Sequence, residues 1–282
     1  MRDAVHMSQI DSGSIVVATD GSDHAHRAVR WAAQQAAAER RRLTVFSSDA
    51  DAAADVAAAQ ELVKELAPEV DVQVLTSQSD PRETLLEMSR EAYLIVLGSR
   101  GRGAVKSLLL GSVSKAVSSA AECPVVVCRP SGDRERTGVI VGADGTPESR
   151  PVIEFAYRQA SLRRQPLTVL HCYWDAAAAV AQYHRSRQEP YNAPDLAVME
   201  AMLSESVAGF EEIYPDVAVT LDMKHGLVDA ALSERGDTCD LIVVGRHPMN
   251  SLSRMVTGSI ATSVVERSRT NVAVVPEELP AS

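Results

Sequence analysis

The chain carries the same pattern twice. Ile15-Val-Val-Ala-Thr-Asp20-Gly-Ser22 returns as Ile140-Val-Gly-Ala-Asp144-Gly-Thr146, and Leu43-Thr-Val-Phe returns as Leu167-Thr-Val-Leu at the same offset. Tyr93-Leu-Ile-Val-Leu-Gly98 returns as Asp240-Leu-Ile-Val-Val-Gly245, and Gly111-Ser112-Val113 as Gly258-Ser259-Ile260, at a larger offset. The change of offset locates an insertion in the second copy, between about Tyr173 and Ala201. A repeat of this length is too long to be a solenoid unit and implies two similar domains, each with its own core. A length of 282 residues agrees, being more easily divided between two cores than gathered into one. The polar run Arg129-Pro-Ser-Gly-Asp-Arg-Glu-Arg-Thr137 marks the join. The expected organisation is a mobile tail over residues 1–12, a first domain over 13–131, a linker over 132–137 and a second domain over 138–282.

Within each copy, Val/Ile/Leu runs without polar alternation are separated by segments of helical spacing. Strands are expected near 14–19, 43–48, 70–76, 93–98 and 124–128, with helices near 23–41, 51–67, 81–91 and 112–121. In the second copy the strands fall near 138–143, 167–173, 217–223, 240–245 and 271–275. Strands apolar on both faces belong to a parallel sheet covered by helices on each side. The expected fold class is therefore α/β, as two tandem doubly wound parallel five-stranded sheets.

Ligands of such sheets bind beyond the carboxyl ends of the strands, where strand order reverses. That rule makes neighbours of three loops: Asp20-Gly21-Ser22, the turn at Ser48, and the segment from Gly98 to Ser112. The last reads Gly-Ser-Arg-Gly-Arg-Gly-Ala-Val-Lys-Ser-Leu-Leu-Leu-Gly-Ser. A strand opening into a glycine-rich loop and then a helix suits phosphate, because amides and a helix N-terminus can converge on the anion. Ser22, and Thr146 ahead of Pro147, also occupy the sequence position of helix N-caps.

Lys106-Ser107 follows Val105 and not a glycine, so a Walker-type loop is absent. No motif places a Ser-His-Asp or Cys-His set, and no acidic pair beside the glycine loop marks a metal clamp. Neither catalytic residues nor metal ligands are assigned. Cys123, Cys128, Cys172 and Cys239 lack CxxC or His/Cys metal spacing and are expected as small buried hydrophobes. A formal charge of −10 disfavours nucleic-acid backbones and anionic membranes as partners. There is no signal-peptide pattern and no bilayer-length apolar run, which leads to the expectation of a cytoplasmic protein.

Asp20-Gly-Ser22 together with Gly98-x2-Gly101-x9-Gly111-Ser112, flanked by Leu-Leu-Leu-Gly-Ser-Val-Ser and Cys123-Pro-Val-Val-Val, resembles the universal stress proteins, in particular their ATP-binding branch. The resemblance covers nearly the full chain, as a tandem form with the adenine nucleotide alpha hydrolase-like fold of that family. It implies an adenine nucleotide as ligand, ATP or else ADP or AMP, with Mg²⁺ at the phosphates. By this resemblance Asp20, followed by Gly21, reads adenine, and the backbone near Ser48 also touches the base. Gly98, Gly101, Gly103 and Gly111, with Ser112 and the amide of Val113, hold ribose and phosphates, and Arg100 and Arg102 flank the loop. In the second copy Asp144, Gly245, Gly258, Ser259 and Ile260 keep register, but Pro248 stands where the first has Gly101. Proline has no N–H to donate, so the first site is expected to be the stronger.

The resemblance further implies that the edge strands Val125 to Cys128 and Val272 to Val275 pair across the domains as an internal pseudo-dimer, with a homodimer as a further step. Three functions stay open at this point: a nucleotide-binding regulator of stress response, a slow ATPase or nucleotidyl-transfer enzyme, and a nucleotide-free interaction scaffold. The insertion from Tyr173 to Tyr191 gathers much of the chain's aromatic content, as a lid or flap or as packing for its own domain.

Overall fold

The structure, a computed structural model, describes residues 10–48, 53–102, 110–130, 136–173, 196–246 and 260–277. It divides into two compact units, one holding the described residues through Pro130 and the other those of 136–277.

The first unit runs β1 (Ile15–Ala18), α1 (Asp23–Glu39), β2 (Leu43–Ser47), α2 (Ala53–Leu66), β3 (Val72–Thr76), α3 (Pro81–Met88), β4 (Leu94–Gly98), α4 (Ser112–Ala120) and β5 (Val125–Cys128). Every pairing is parallel, in the order β3-β2-β1-β4-β5. Ile15, Val16 and Val17 on the central strand have no exposed surface, and neither do Leu94, Ile95 and Val96 on β4. Helices cover both faces, which is why these strands show no alternation. α1 presents Ala25, Ala28, Val29, Ala32, Ala33 and Ala36 to the sheet, and its small side chains let the helix lie close. Ser22 caps α1 as expected, its Oγ accepting from the amide of Ala25 at 3.2 Å. Asp80 caps α3 in the same way ahead of Pro81.

At the rim where the strands begin, Arg42 pairs with both Asp11 and Asp71. Arg41 donates to the carbonyl of Gly13 at 2.8 Å and lies over the Tyr93 ring. Ile10 is buried, so the first unit takes hold of the chain before the expected end of the tail at residue 12. Residues 1–9 of that tail lie outside the described residues.

The second unit repeats the plan with β6 (Val139–Gly142), α5 (Arg150–Arg163), β7 (Leu167–Tyr173), α6 (Leu196–Val207), α7 (Phe210–Ile213), β8 (Val219–His225), α8 (Val228–Arg235), β9 (Leu241–Arg246), α9 (Ile260–Arg267) and β10 (Asn271–Pro276). Its order is β8-β7-β6-β9-β10, again parallel. Val139 lies opposite Leu167 and Leu241 as Ile15 lies opposite Leu43 and Leu94. The counterpart of Ile15 is therefore Val139, one residue ahead of Ile140. Tyr157 on α5 is fully buried, with its ring 5.1 Å from Phe210 and 5.9 Å from Tyr214. This stack fastens α7 to the unit, and such pairs add to plain area burial.

Two expectations change here. Thr137 donates its amide to the Thr238 carbonyl at 3.1 Å and Arg136 reaches the Arg269 carbonyl at 2.9 Å, so these linker positions are tied to the second unit. Thr146 is not a side-chain cap: a 3₁₀ turn over Pro147–Ser149 precedes α5, and the Thr146 hydroxyl donates to Asp144 Oδ1 at 2.8 Å. Residues 174–195 of the insertion lie outside the described residues, while Leu196–Val207 forms α6. Cys123, Cys128 and Cys239 are buried and Cys172 is half-buried. Among the described residues no helix is long and apolar enough to cross a membrane.

Candidate functional site

Strand order reverses at β1 and β4 in the first unit, and the loops leaving these strands frame a cavity of about 440 Å³. That size suits a small-molecule ligand. Ala18, Phe46, Leu85 and Leu97 give it an apolar floor, and Pro81 closes one side. Asp20, Ser48, Gly98, Arg100, Gly101, Arg102, Gly111, Ser112 and Val113 contribute to the rest of the wall. The first-copy residues expected at the site thus come together, apart from Gly21, which lies beside the mouth, and Gly103, which lies outside the described residues.

Gly21 sits at φ +70, a conformation that permits the tight turn after β1. The loop glycines behave differently. Gly98, Gly101 and Gly111 are absent from the positive-φ residues, so what each provides is the missing Cβ. A Cβ on Gly98 would lie 2.7 Å from the backbone carbon and oxygen of His24, where α1 crosses the end of β4. On Gly101 it would lie 2.5 Å from Asp20 Oδ2. Gly111, at φ −73, meets nothing nearer than 3.5 Å, so its bare backbone keeps open the space in front of α4.

Gly111 donates its own amide to the Ser99 carbonyl at 2.8 Å, which fixes the loop's return. The anion-facing donors are therefore the first-turn amides of α4, from Ser112 and Val113 onward. Among the described residues no side chain caps this helix, and Ser112 and Val113 at its start line the cavity, so those amides and the positive end of its dipole lie at the cavity wall. Ser114 turns inward and donates to the Gly98 carbonyl at 2.6 Å.

Asp20 ties two loops together. Its Oδ1 accepts from the Ser22 amide at 3.0 Å and its Oδ2 from the Arg102 amide at 2.7 Å. Burial pushes the carboxyl up, but hydrogen bonds from Ser22 and Arg102, with the Arg102 charge, outweigh it and leave Asp20 below the usual carboxylate range. It is a fixed anion at neutral pH.

Two features escaped the sequence reading. The Arg102 guanidinium donates to Asp55 Oδ1 at 2.6 Å, bringing the start of α2 to the site. His24 Nδ1 lies 3.0 Å from the hydroxyl of Ser99, which has no exposed surface. Burial, then Arg27, Arg100 and Arg129, hold the His24 pKa below its ordinary 6.5, against the opposing pull of Asp23. A depressed pKa means that the unfolded chain takes up a proton the folded ring refuses. Its contribution to stability is complete above 6.5 and is lost as pH falls below that value. The urea midpoint of the first unit should therefore drop on acidification from about pH 7 to about pH 5.5, and His24→Gln should flatten that slope. An unchanged slope in the variant would remove His24 from this role.

The second unit keeps part of this arrangement. Asp144 Oδ1 accepts from the Thr146 amide at 2.9 Å, and Gly145 sits at φ +79, as Asp20 and Gly21 do. Ile260 opens α9. Around these positions the surroundings differ: a Cβ on Gly145 would meet Met202 Cβ at 3.4 Å, and one on Gly245 would lie 2.7 Å from Glu277 Oε1. Pro248, Gly258 and Ser259 lie outside the described residues.

A sequence profile of the universal stress protein family matches residues 12–129 and again 136–276. The chain belongs to the universal stress protein family. A universal stress protein of Mycobacterium tuberculosis is 29% identical over 94% of this chain and 97% of its own length. One from Mycolicibacterium smegmatis is 28% identical over 93% and 96%. Another from M. tuberculosis is 34% identical, but the match spans 70% of this chain and 66% of that relative. Among solved structures, a universal stress protein from Archaeoglobus fulgidus superposes with a TM-score of 0.61 at 20% identity, covering 95% of this chain and all of that one. A putative universal stress protein from Pseudomonas aeruginosa gives 0.66 at 18% identity, covering 94% and 93%. These structural likenesses extend the tandem universal stress protein fold across both units.

Proposed function

We propose that this universal stress protein binds an adenine nucleotide, ATP or else ADP or AMP, in its first unit and acts in stress response as a ligand-dependent regulator. The observation that carries the reading is a single cavity joining an apolar slot to the uncapped first turn of a helix. A purine is flat and largely apolar, and Ala18, Phe46, Leu85 and Leu97 offer it matching surface. Asp20 accepts the Ser22 amide and hydroxyl and the Arg102 amide, which leaves one of a carboxylate's roughly four lone pairs for a base or ribose donor. Ser112 and Val113 supply amides and dipole for the phosphates. Mg²⁺ would come with the phosphates, whose oxygens and retained waters supply most of its ligands.

Binding rather than turnover is the role the side chains favour. His24 is directed at the buried Ser99 hydroxyl, and both Asp20 oxygens are taken up by backbone amides. In the second unit the Glu277 carboxylate stands against Gly245, the counterpart of Gly98, and would oppose a phosphate. The Pro248 substitution in sequence points the same way, so the proposal is one nucleotide per chain. A cytoplasmic location and an internal pseudo-dimer of the two domains belong to the same proposal.

Native mass spectrometry of the purified chain, followed by heat extraction and chromatography, tests this reading. One equivalent of adenine nucleotide retained, or taken up at millimolar supply, is expected. A chain that takes up none under those conditions would refute it, and two equivalents would refute the asymmetry.

A further inference from the structure

Arg102 is engaged at both ends where the cavity opens. Its amide holds Asp20, and its guanidinium holds Asp55 at the start of α2. The ion pair lies directly over Gly21, where any Cβ would collide with both Asp55 Oδ1 and the Arg102 guanidinium. The two partners are unequal: the Asp55 side chain is 18% exposed and that of Arg102 is 55% exposed. The carboxylate is the enclosed partner, and the guanidinium is the one that solvent and ligand can reach. Arg102 also belongs to the wall of the cavity that Ser112 and Val113 line, where the phosphates are proposed to sit.

We propose that the Asp55–Arg102 pair is a latch that sets which ligand the site prefers. This rests on the nucleotide reading above. The phosphate chain of a nucleoside polyphosphate competes with Asp55 for the guanidinium, and Arg102 leaves its carboxylate partner for the more highly charged one. A nucleoside without phosphates leaves the pair undisturbed. Asp55 thereby opposes binding of every phosphorylated ligand, and Arg102 repays that opposition only to ligands with enough phosphate charge. Asp20 is held by the Arg102 backbone amide and keeps its contact when the side chain swings.

Calorimetric titration of the full chain with ATP and with adenosine, on wild type, Arg102→Ala, Asp55→Ala and Asp55→Asn, tests the latch. The quantity read is the ratio of ATP to adenosine affinity, which a purely structural role for the pair would not move. Arg102→Ala should lower this ratio by about tenfold, from the loss of a charge-assisted contact and the baring of Asp55. Asp55→Ala and Asp55→Asn should raise it by about threefold, in keeping with a half-exposed ion pair. An equal loss for both ligands in Arg102→Ala, or a lowered ratio in the Asp55 variants, overturns the latch while leaving the nucleotide reading intact. Wild type that binds neither ligand brings down the nucleotide reading, and the latch with it.

Discussion

Gly101→Asp is expected to weaken ATP binding by about 3 kcal/mol, a hundredfold or more. Two repulsions add at this position. The new side chain starts 2.5 Å from Asp20 Oδ2, so one carboxylate is driven against another whose charge is already fixed by its hydrogen bonds. The same charge then faces the space in front of α4 where phosphates are proposed to lie. Like charges in a partly enclosed site repel far more strongly than in open water. Gly111→Asp separates the two effects, because a Cβ there finds only ordinary contacts with Arg100 and Ser99 and the φ of −73 suits any residue. Its loss should be confined to phosphorylated ligands, whereas Gly101→Asp should also disturb the Asp20 anchor and weaken adenosine. Calorimetry with ATP and adenosine on both variants checks this, and unchanged ATP affinity in both would contradict the placement of the phosphates.

Gly98→Ala should destabilise the first unit by about 3 kcal/mol while adding only a methyl group. The Cβ would come within 2.7 Å of the His24 carbonyl group and 3.0 Å of the Ala25 amide, and these are backbone atoms of α1 that no rotamer change can move. The helix would have to lift from β4, opening the alanine-lined contact along its whole length. Differential scanning calorimetry should show an early transition belonging to the first unit, with the second unit unfolding as before. A variant that melts with wild type would mean that α1 can shift freely at this point.

The strands and their parallel, doubly wound arrangement could be read from the sequence, because fully buried strands leave an uninterrupted apolar trace and because the duplication gave each one a second witness. The convergence of Asp20, Ser48 and the glycine segment followed from topology alone. Contacts made by long side chains across the fold could not be read. Asp55 lies far from Asp20 along the chain and far from Arg102, and an acidic residue in the first turn of a helix has reason to be there without any ligand. Arg102 flanks the glycine loop in sequence, and nothing in its spacing says that its side chain reaches Asp55. Thr146 before Pro147 has the same local signature as a true cap, and only the 3₁₀ turn that follows distinguishes it from Ser22. Ile140 took the place of Val139 in the alignment of the copies because the residue types agreed while the backbone register did not.

Because all strands of a unit point the same way, the proposed ligand site lies at one border of the sheet. In the first unit the opposite border is held by the fork of Arg42 on Asp11 and Asp71 and by the Arg41 cover on Tyr93. Substitutions on that second border can be traded for thermal robustness without touching what the molecule recognises. A tag, tether or immobilising linker attached there would leave the ligand-facing side unobstructed.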